Sequence, residues 1–158
     1  MTNITNIWDS PVTGAYLLWE FIQGFCDIDP SGPNLLLAFP VLAILSTPEL
    51  SAPLSSESIE SLSDYTFSFI ERGDPSLDML QSCIDDKRET IRVSLSLGFV
   101  SCLFTVTKGG KLRVNPGPPP NGAASAFRKE AGKIASRLGK ILAKSTPEII
   151  GFHLGVNF

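Results

Sequence analysis

The residues best suited to chemistry are the four side chains that could bind a metal or attack a substrate, Cys26, Cys83, Cys102 and His153. The three cysteines lie far apart, no pair has C-x-x-C spacing, and a tetrahedral zinc site would need all four residues together. The single histidine lies between two apolar residues, in a position where histidines are usually structural. We therefore expect no metal centre and no catalytic base among these four residues.

Two short clusters contain residue types that are found at active sites. Asp85-Asp86 offers two carboxylates, but Lys87-Arg88-Glu89 follows directly, and such a charge run is typical of a solvated helix face. Lys108-Gly-Gly-Lys111 lacks the remaining residues of a phosphate-binding loop, and no G-x-G-x-x-G, H-E-x-x-H or G-x-S-x-G motif is present. Because no nucleophile–base pair is visible, we predict that the protein is not an enzyme and uses no cofactor. A small hydrolase with an unfamiliar site is kept as a third alternative.

The basic side chains are better candidates for function because they are concentrated in one third of the chain. Residues 1–107 contain four basic and fourteen acidic residues, a net charge of −10, whereas residues 108–158 contain nine basic and two acidic residues, a net charge of +7. This division predicts one acidic and one basic surface unless the fold mixes them, and it suits a protein that lies between partners. The predicted partner- or DNA-binding residues are Lys108, Lys111, Arg113, Lys129, Lys133, Arg137, Lys140 and Lys144.

Composition limits the class and the location of the protein. A chain of 158 residues that is 43% hydrophobic fits one domain with a substantial core. Its charged fraction of 18% lies below the usual value of about 25%, which fits either a Ser-rich polar surface or a subunit partly covered by another protein. The odd cysteine count and the lack of a secretion signal indicate a reducing cytoplasm. The longest apolar run, residues 35–45, is too short to cross a bilayer, so we expect no membrane segment.

Helical periodicity dominates the first two thirds of the chain. Apolar residues recur at helical spacing from Pro11 to Phe25, and Asn34 to Ser46 reads as a core segment in which Pro40 either kinks a helix or starts one. Further helices are predicted from Thr47, over 57–72, and from Leu77 to about Leu97, with a loop at 51–58, a break near Asp85-Asp86, and Gly98 as the C-cap.

A β-hairpin is predicted over residues 103–114. Two apolar stretches, Leu103-Phe-Thr-Val and Leu112-Arg-Val, flank Gly109-Gly110, and these glycines would supply a positive φ at both central turn positions. A helix, a short strand and a hairpin in this order are typical of a winged helix-turn-helix. The predicted fold class is therefore mainly α (α+β), a winged-helix-like helical domain with a β-hairpin wing and a C-terminal amphipathic helix.

The C-terminal third begins after a stiff linker rich in proline and glycine, residues 115–122. Residues 123–144 form the clearest predicted helix, whose apolar positions step by four and three residues. Gly132 and Gly139 lie near one another on this helix and imply a closely packed neighbour, because glycine otherwise lowers helix stability by about 1 kcal/mol. Thr146-Pro-Glu148 starts a last short helix. We predict one domain over 1–158, comprising a helical core with the hairpin (1–114), the linker, and C-terminal helices (123–158).

Five stretches of the chain together resemble a known family, the middle component of prokaryotic three-component ABC-ATPase systems, which include the Lamassu-type anti-phage defence systems. They occupy residues 10–21 (SPVTGAYLLWEF), 34–45 (NLLLAFPVLAIL), 97–100 (LGFV), 133–140 (KIASRLGK) and 154–158 (LGVNF). None of these stretches is a catalytic motif, so their order and spacing carry the resemblance, which spans nearly the whole chain.

The resemblance implies a small non-catalytic adaptor subunit of an anti-phage or anti-plasmid defence complex. Such a subunit would bridge an SMC- or Rad50-like ABC ATPase, which senses foreign DNA, and an effector, often a nuclease, with possible DNA contact within the complex. From the residues alone, the alternative is a winged-helix DNA-binding regulator that uses the same hairpin. The sequence pI of about 5.1 argues against an autonomous DNA-binding protein, which usually has a basic domain.

Overall fold

The computed structural model describes residues 10–117 and 126–157. Most of these residues are helical, and two short strands form an antiparallel hairpin. The elements in this part of the chain are α1 (Pro11–Ile28), α2 (Ala38–Leu45), α3 (Pro48–Ser51), α4 (Leu62–Glu71), α5 (Leu80–Val100), β1 (Phe104–Val106), β2 (Leu112–Val114), α6 (Ala126–Leu142) and α7 (Pro147–Leu154). The mainly α (α+β) class predicted from the sequence is confirmed, and the winged-helix arrangement stays a prediction.

Helix α1 is the centre of the fold. Nearly every residue from Thr13 to Phe25 is buried, because α1 is apolar over most of its surface and packs against both α5 and α6. Helix α2 packs on α5 and adds the fully buried side chains of Val41 and Ile44 to the same core. The helix predicted from Pro11 is therefore confirmed, and it extends three residues beyond Phe25.

Helices α1 and α6 approach so closely that glycine is required on both. A Cβ added to Gly24 would collide with the Ser136 carbonyl, and one added to Gly139 would lie 2.6 Å from the Phe25 amide nitrogen. One added to Gly132 would lie 2.7 Å from the Tyr16 hydroxyl oxygen. The close neighbour that the glycines of α6 predicted is thus α1, and their helix-weakening effect is offset by backbone-to-backbone packing.

The apolar segment after α1 starts a helix at its proline rather than kinking one. A 3₁₀ turn at Leu35–Leu37 leads into α2, and the Asn34 side chain caps this turn by accepting a hydrogen bond from the Leu36 amide. Pro40 lies in the first turn of α2, where the missing N–H has no helical acceptor to lose. Of the two predicted alternatives, Pro40 therefore starts a helix and does not kink one.

The segment between α2 and α5 is more helical than predicted. The 3₁₀ turn Ala52–Ser55 occupies half of the predicted loop, and α4 begins at Leu62 behind a capping box of Ser61 and Asp64. A further 3₁₀ turn, Pro75–Met79, is capped by Asp74 and runs directly into α5. The helix predicted from Leu77 therefore begins as this turn and becomes α-helical at Leu80.

Two predictions about α5 are wrong. The helix is continuous through Asp85-Asp86, where Arg88 pairs with Asp85 one turn earlier. Gly98 does not cap the helix, because α5 runs on to Val100 and Cys102 takes the positive φ of 58°. Gly98 is needed for packing instead, since an added Cβ would collide with the ring of Phe104.

The hairpin lies where it was predicted but has a different turn. Phe104 pairs with Val114 and Val106 with Leu112, and the Thr107 amide donates to the Lys111 carbonyl at 2.8 Å. The loop therefore has three residues, with only Gly110 at a positive φ of 76°, as in a turn that closes with a bulge. The expectation of a positive φ at Gly109 is wrong.

A third extended segment binds the hairpin to the helical core. Asn34 bridges Lys111 antiparallel, the Leu35 amide donates to the Gly110 carbonyl, and the Leu112 amide donates to the Pro33 carbonyl at 2.8 Å. The side chains of Phe104 and Leu112 are fully buried. The hairpin is thus held against the turn that follows α1. Of the predicted linker, residues 118–122 lie outside the described part of the chain, as do the first three residues of the helix predicted from Ala123.

Candidate interaction surface

The orientation of α6 decides which of its cations can meet a partner. The predicted apolar seam of α6 consists of positions 127, 131, 134, 138 and 141. Of these, Ala131, Leu138 and Ile141 are buried, and Ala135 and Leu142 are buried beside them. Ile134 is only half-buried, and the side chain of Phe127 lies outside the described part. Because the seam faces α1, the basic residues of α6 are placed toward its edges and its outer side.

Three of the predicted site residues on α6 are exposed to solvent. Lys129 has an exposed side chain, Lys133 pairs with Glu130 at 3.2 Å, and Lys140 lies 3.9 Å from Asp27. Both side chains of the Lys133–Glu130 pair are about three-quarters exposed. Exposed ion pairs of this kind contribute about 0–1 kcal/mol, so an incoming carboxylate can replace either acidic residue at little cost.

Arg137 and Lys144 have a different role, because both bind backbone carbonyl groups of the segment between α3 and α4. The Arg137 guanidinium donates to the carbonyl oxygens of Leu54 and Ile59, each at 3.0 Å, and Lys144 Nζ donates to the Glu60 carbonyl oxygen at 2.9 Å. These bonds hold residues 54–60 against α6. The basic residues from Lys129 to Lys144 therefore differ in role: Lys129, Lys133 and Lys140 point outward, whereas the half-buried Arg137 and the exposed Lys144 hold this segment.

The position of Arg137 in the sequence is a signal of this division. Arg137 lies three residues after Ile134 and four residues before Ile141, which places it beside the apolar seam. A long cation at the edge of a buried face covers apolar surface with its stem and reaches buried acceptors with its head group. The carbonyl groups that it binds lie 78 and 83 residues away in sequence, and spacing within a helix cannot reveal such acceptors.

The hairpin cations lie around the C-terminal end of α1. Lys108 is exposed at the tip, Lys111 is half-buried, and the Arg113 guanidinium donates to the Pro30 carbonyl oxygen at 3.1 Å. Near them, Asp29 accepts hydrogen bonds from the Ser31 hydroxyl and amide, which hold the pKa of its carboxyl below the usual range. The hairpin cations thus face a small acidic group, and Lys140 approaches that group from α6 through Asp27.

The eight predicted residues therefore form no single patch. Lys111, Arg113 and Lys140 gather at the end of α1, with Lys108 beyond them at the hairpin tip. Lys129 and Lys133 lie about 11 and 7 residues before Lys140 on α6, or roughly 16 and 10 Å along the helix. Arg137 and Lys144 bind the 54–60 segment.

The residues considered for chemistry are separated in the fold. Cys26 and Cys83 are half-buried, Cys102 is exposed, and all three are free thiols. Burial raises the pKa of the Cys26 thiol despite the nearby charge of Arg113. The His153 ring makes an edge contact with Phe152, at 5.8 Å between ring centroids. In residues 10–117 and 126–157 no group of three or more His, Cys, Asp or Glu side chains is arranged to hold a metal ion.

Within the described residues, no single helix is both long and apolar enough to cross a bilayer. The consecutive segments Leu35–Leu45 and Pro48–Ser55 satisfy the length and composition limits only as a pair, with a bend of 103° between them.

These observations define the class of the protein. It is a mostly helical protein built around one buried helix, with a small hairpin and with cations that lie on separate surfaces. The chain belongs to the ABC-three component system Middle Component 3 family, whose model matches residues 1–158. It is therefore a middle component of a system that has other components. Searches among curated proteins and among solved structures found no significant match.

Proposed function

We propose that this protein is a non-catalytic adaptor that bridges an SMC- or Rad50-like ABC ATPase and an effector nuclease in an anti-phage defence complex of the Lamassu type. The observation that carries this proposal is the family match over the whole chain, because a middle component works together with the other components of its system. The division of charge between the two parts of the sequence supports it, since an adaptor needs two different contact surfaces.

The outward cations of α6 are the contact surface that we assign to one partner. Lys129, Lys133 and Lys140 are exposed, and the two acidic residues near them are exposed as well. A partner with an acidic surface would therefore gain these charges without breaking a buried interaction. Charges of this kind mainly steer association and set which partner is accepted. We assign Arg137 and Lys144 to the fold rather than to the contact.

Neutralising these cations tests the assignment. The triple variant Lys129→Gln/Lys133→Gln/Lys140→Gln should weaken binding to the ATPase or the effector by roughly 0.6–3 kcal/mol, the sum expected for three exposed pairs. The measurement is titration of each purified partner at low and high salt. The matched control is Ser63→Glu/Ser82→Glu/Ser96→Glu, which changes the net charge by the same −3 at exposed positions on α4 and α5. Equal effects of the two triple variants would contradict the assignment.

The second candidate function is a winged-helix DNA-binding regulator, and the exposed cation at the hairpin tip is the observation that favours it. Lys108 extends beyond the bridge between Asn34 and Lys111, where a wing would meet a phosphate backbone. Duplex binding by the isolated chain, with an affinity that falls steeply with salt, would support this function. Lys108→Gln should then reduce the slope of log affinity against log salt by about 1. No binding at 50 mM salt would leave the adaptor as the remaining proposal.

A further inference from the structure

We draw no further inference here: the strongest candidate, the cavity of about 350 Å³ between α4, α7 and the 3₁₀ turn Pro75–Met79, beside the exposed side chain of Ile70, is an unpartnered face, and nothing in the structure shows what covers it.

Discussion

At the scale of single residues, Arg137 shows how a cation can belong to the core of a protein rather than to its contact surface. Its guanidinium satisfies two carbonyl groups, of Leu54 and Ile59, that the turn between α3 and α4 leaves without helical partners. Removing the donor leaves both acceptors in a partly buried place, where an unsatisfied polar group costs about 1–3 kcal/mol. The role of Arg137 is therefore stability.

We expect Arg137→Met to lower the free energy of unfolding by about 2–4 kcal/mol, because both charged hydrogen bonds are lost together. Lys133→Met is the matched control on the same helix, since its partner Glu130 is about three-quarters exposed and its loss should change stability by less than about 0.5 kcal/mol. Urea unfolding followed by circular dichroism measures both. Similar effects of the two substitutions would show that Arg137 is an ordinary surface cation.

Tyr65 makes the stability of the protein depend on alkaline pH. Its ring is completely buried, its hydroxyl donates to the Leu50 carbonyl oxygen at 2.7 Å, and burial raises its pKa well above the ordinary value. The folded state therefore favours the neutral phenol. The contribution of the Tyr65 phenol to the free energy of unfolding is fully present below the unfolded pKa of about 10, and it is lost as the pH rises above that value.

The substitution Tyr65→Phe should lower the free energy of unfolding by about 1–2 kcal/mol at pH 7, because the Leu50 carbonyl loses its donor. Above pH 10 the difference between the two proteins should shrink, since only the wild type must then keep a phenol protonated. Denaturant unfolding between pH 7 and pH 11 measures this. A difference that stays constant over that range would contradict the raised pKa.

At the scale of elements, the contact between α1 and α6 joins the acidic and basic parts of the chain. Glycine at positions 24 and 139 lets the two backbones touch, so the exposed lysines of α6 are fixed relative to the core. A larger residue at position 24 or 139 would force the two helices apart, because the carbonyl of Ser136 and the amide of Phe25 occupy the space that its side chain would need. The position of the candidate contact surface follows from this packing.

Gly24→Ala should therefore destabilise the protein by about 1–3 kcal/mol, although alanine is the better helix former by about 1 kcal/mol. Thermal unfolding measures the change, and reduced binding of partners through α6 should accompany it. Gly109→Ala is the control, because the nearest atom to an added Cβ there is the Thr107 hydroxyl oxygen at 3.9 Å, and its effect should be within about 0.5 kcal/mol. A stabilising Gly24→Ala would mean that the two helices lie farther apart.

The elements also show what could be learned from the sequence and what could not. Periodic apolar residues predicted α1, the amphipathic helix α6 and the hairpin, because each pattern is local. The break at Asp85-Asp86 was wrong because tertiary contacts along α5 and the Arg88 pair outweigh the weak helix propensity of aspartate. Gly98 was misread as a cap because its true neighbour, the Phe104 ring, belongs to the next element.

The same limit applies to the candidate site. The exposure of Lys129, Lys133 and Lys140 follows from the helical spacing of α6, but the binding of Arg137 to residues 54–59 depends on a distant segment.

At the scale of the whole molecule, the charge division observed in the sequence corresponds to two different kinds of surface. Outward lysines lie on α6 and at the hairpin tip, while Arg88 and Arg92 are exposed on α5 within the otherwise acidic part. Contacts made by exposed charges are screened by salt. Binding of a partner through the exposed lysines of α6 should therefore weaken as the salt concentration rises.

The most direct test of the adaptor function is a pull-down on a tagged ATPase, with the effector co-expressed, in the presence and absence of this chain. We predict that the effector is retained with the ATPase only when this chain is present, and that the three proteins elute together in size-exclusion chromatography. Retention of the effector without this chain, or a clean monomer of this chain that joins neither protein, would contradict the account.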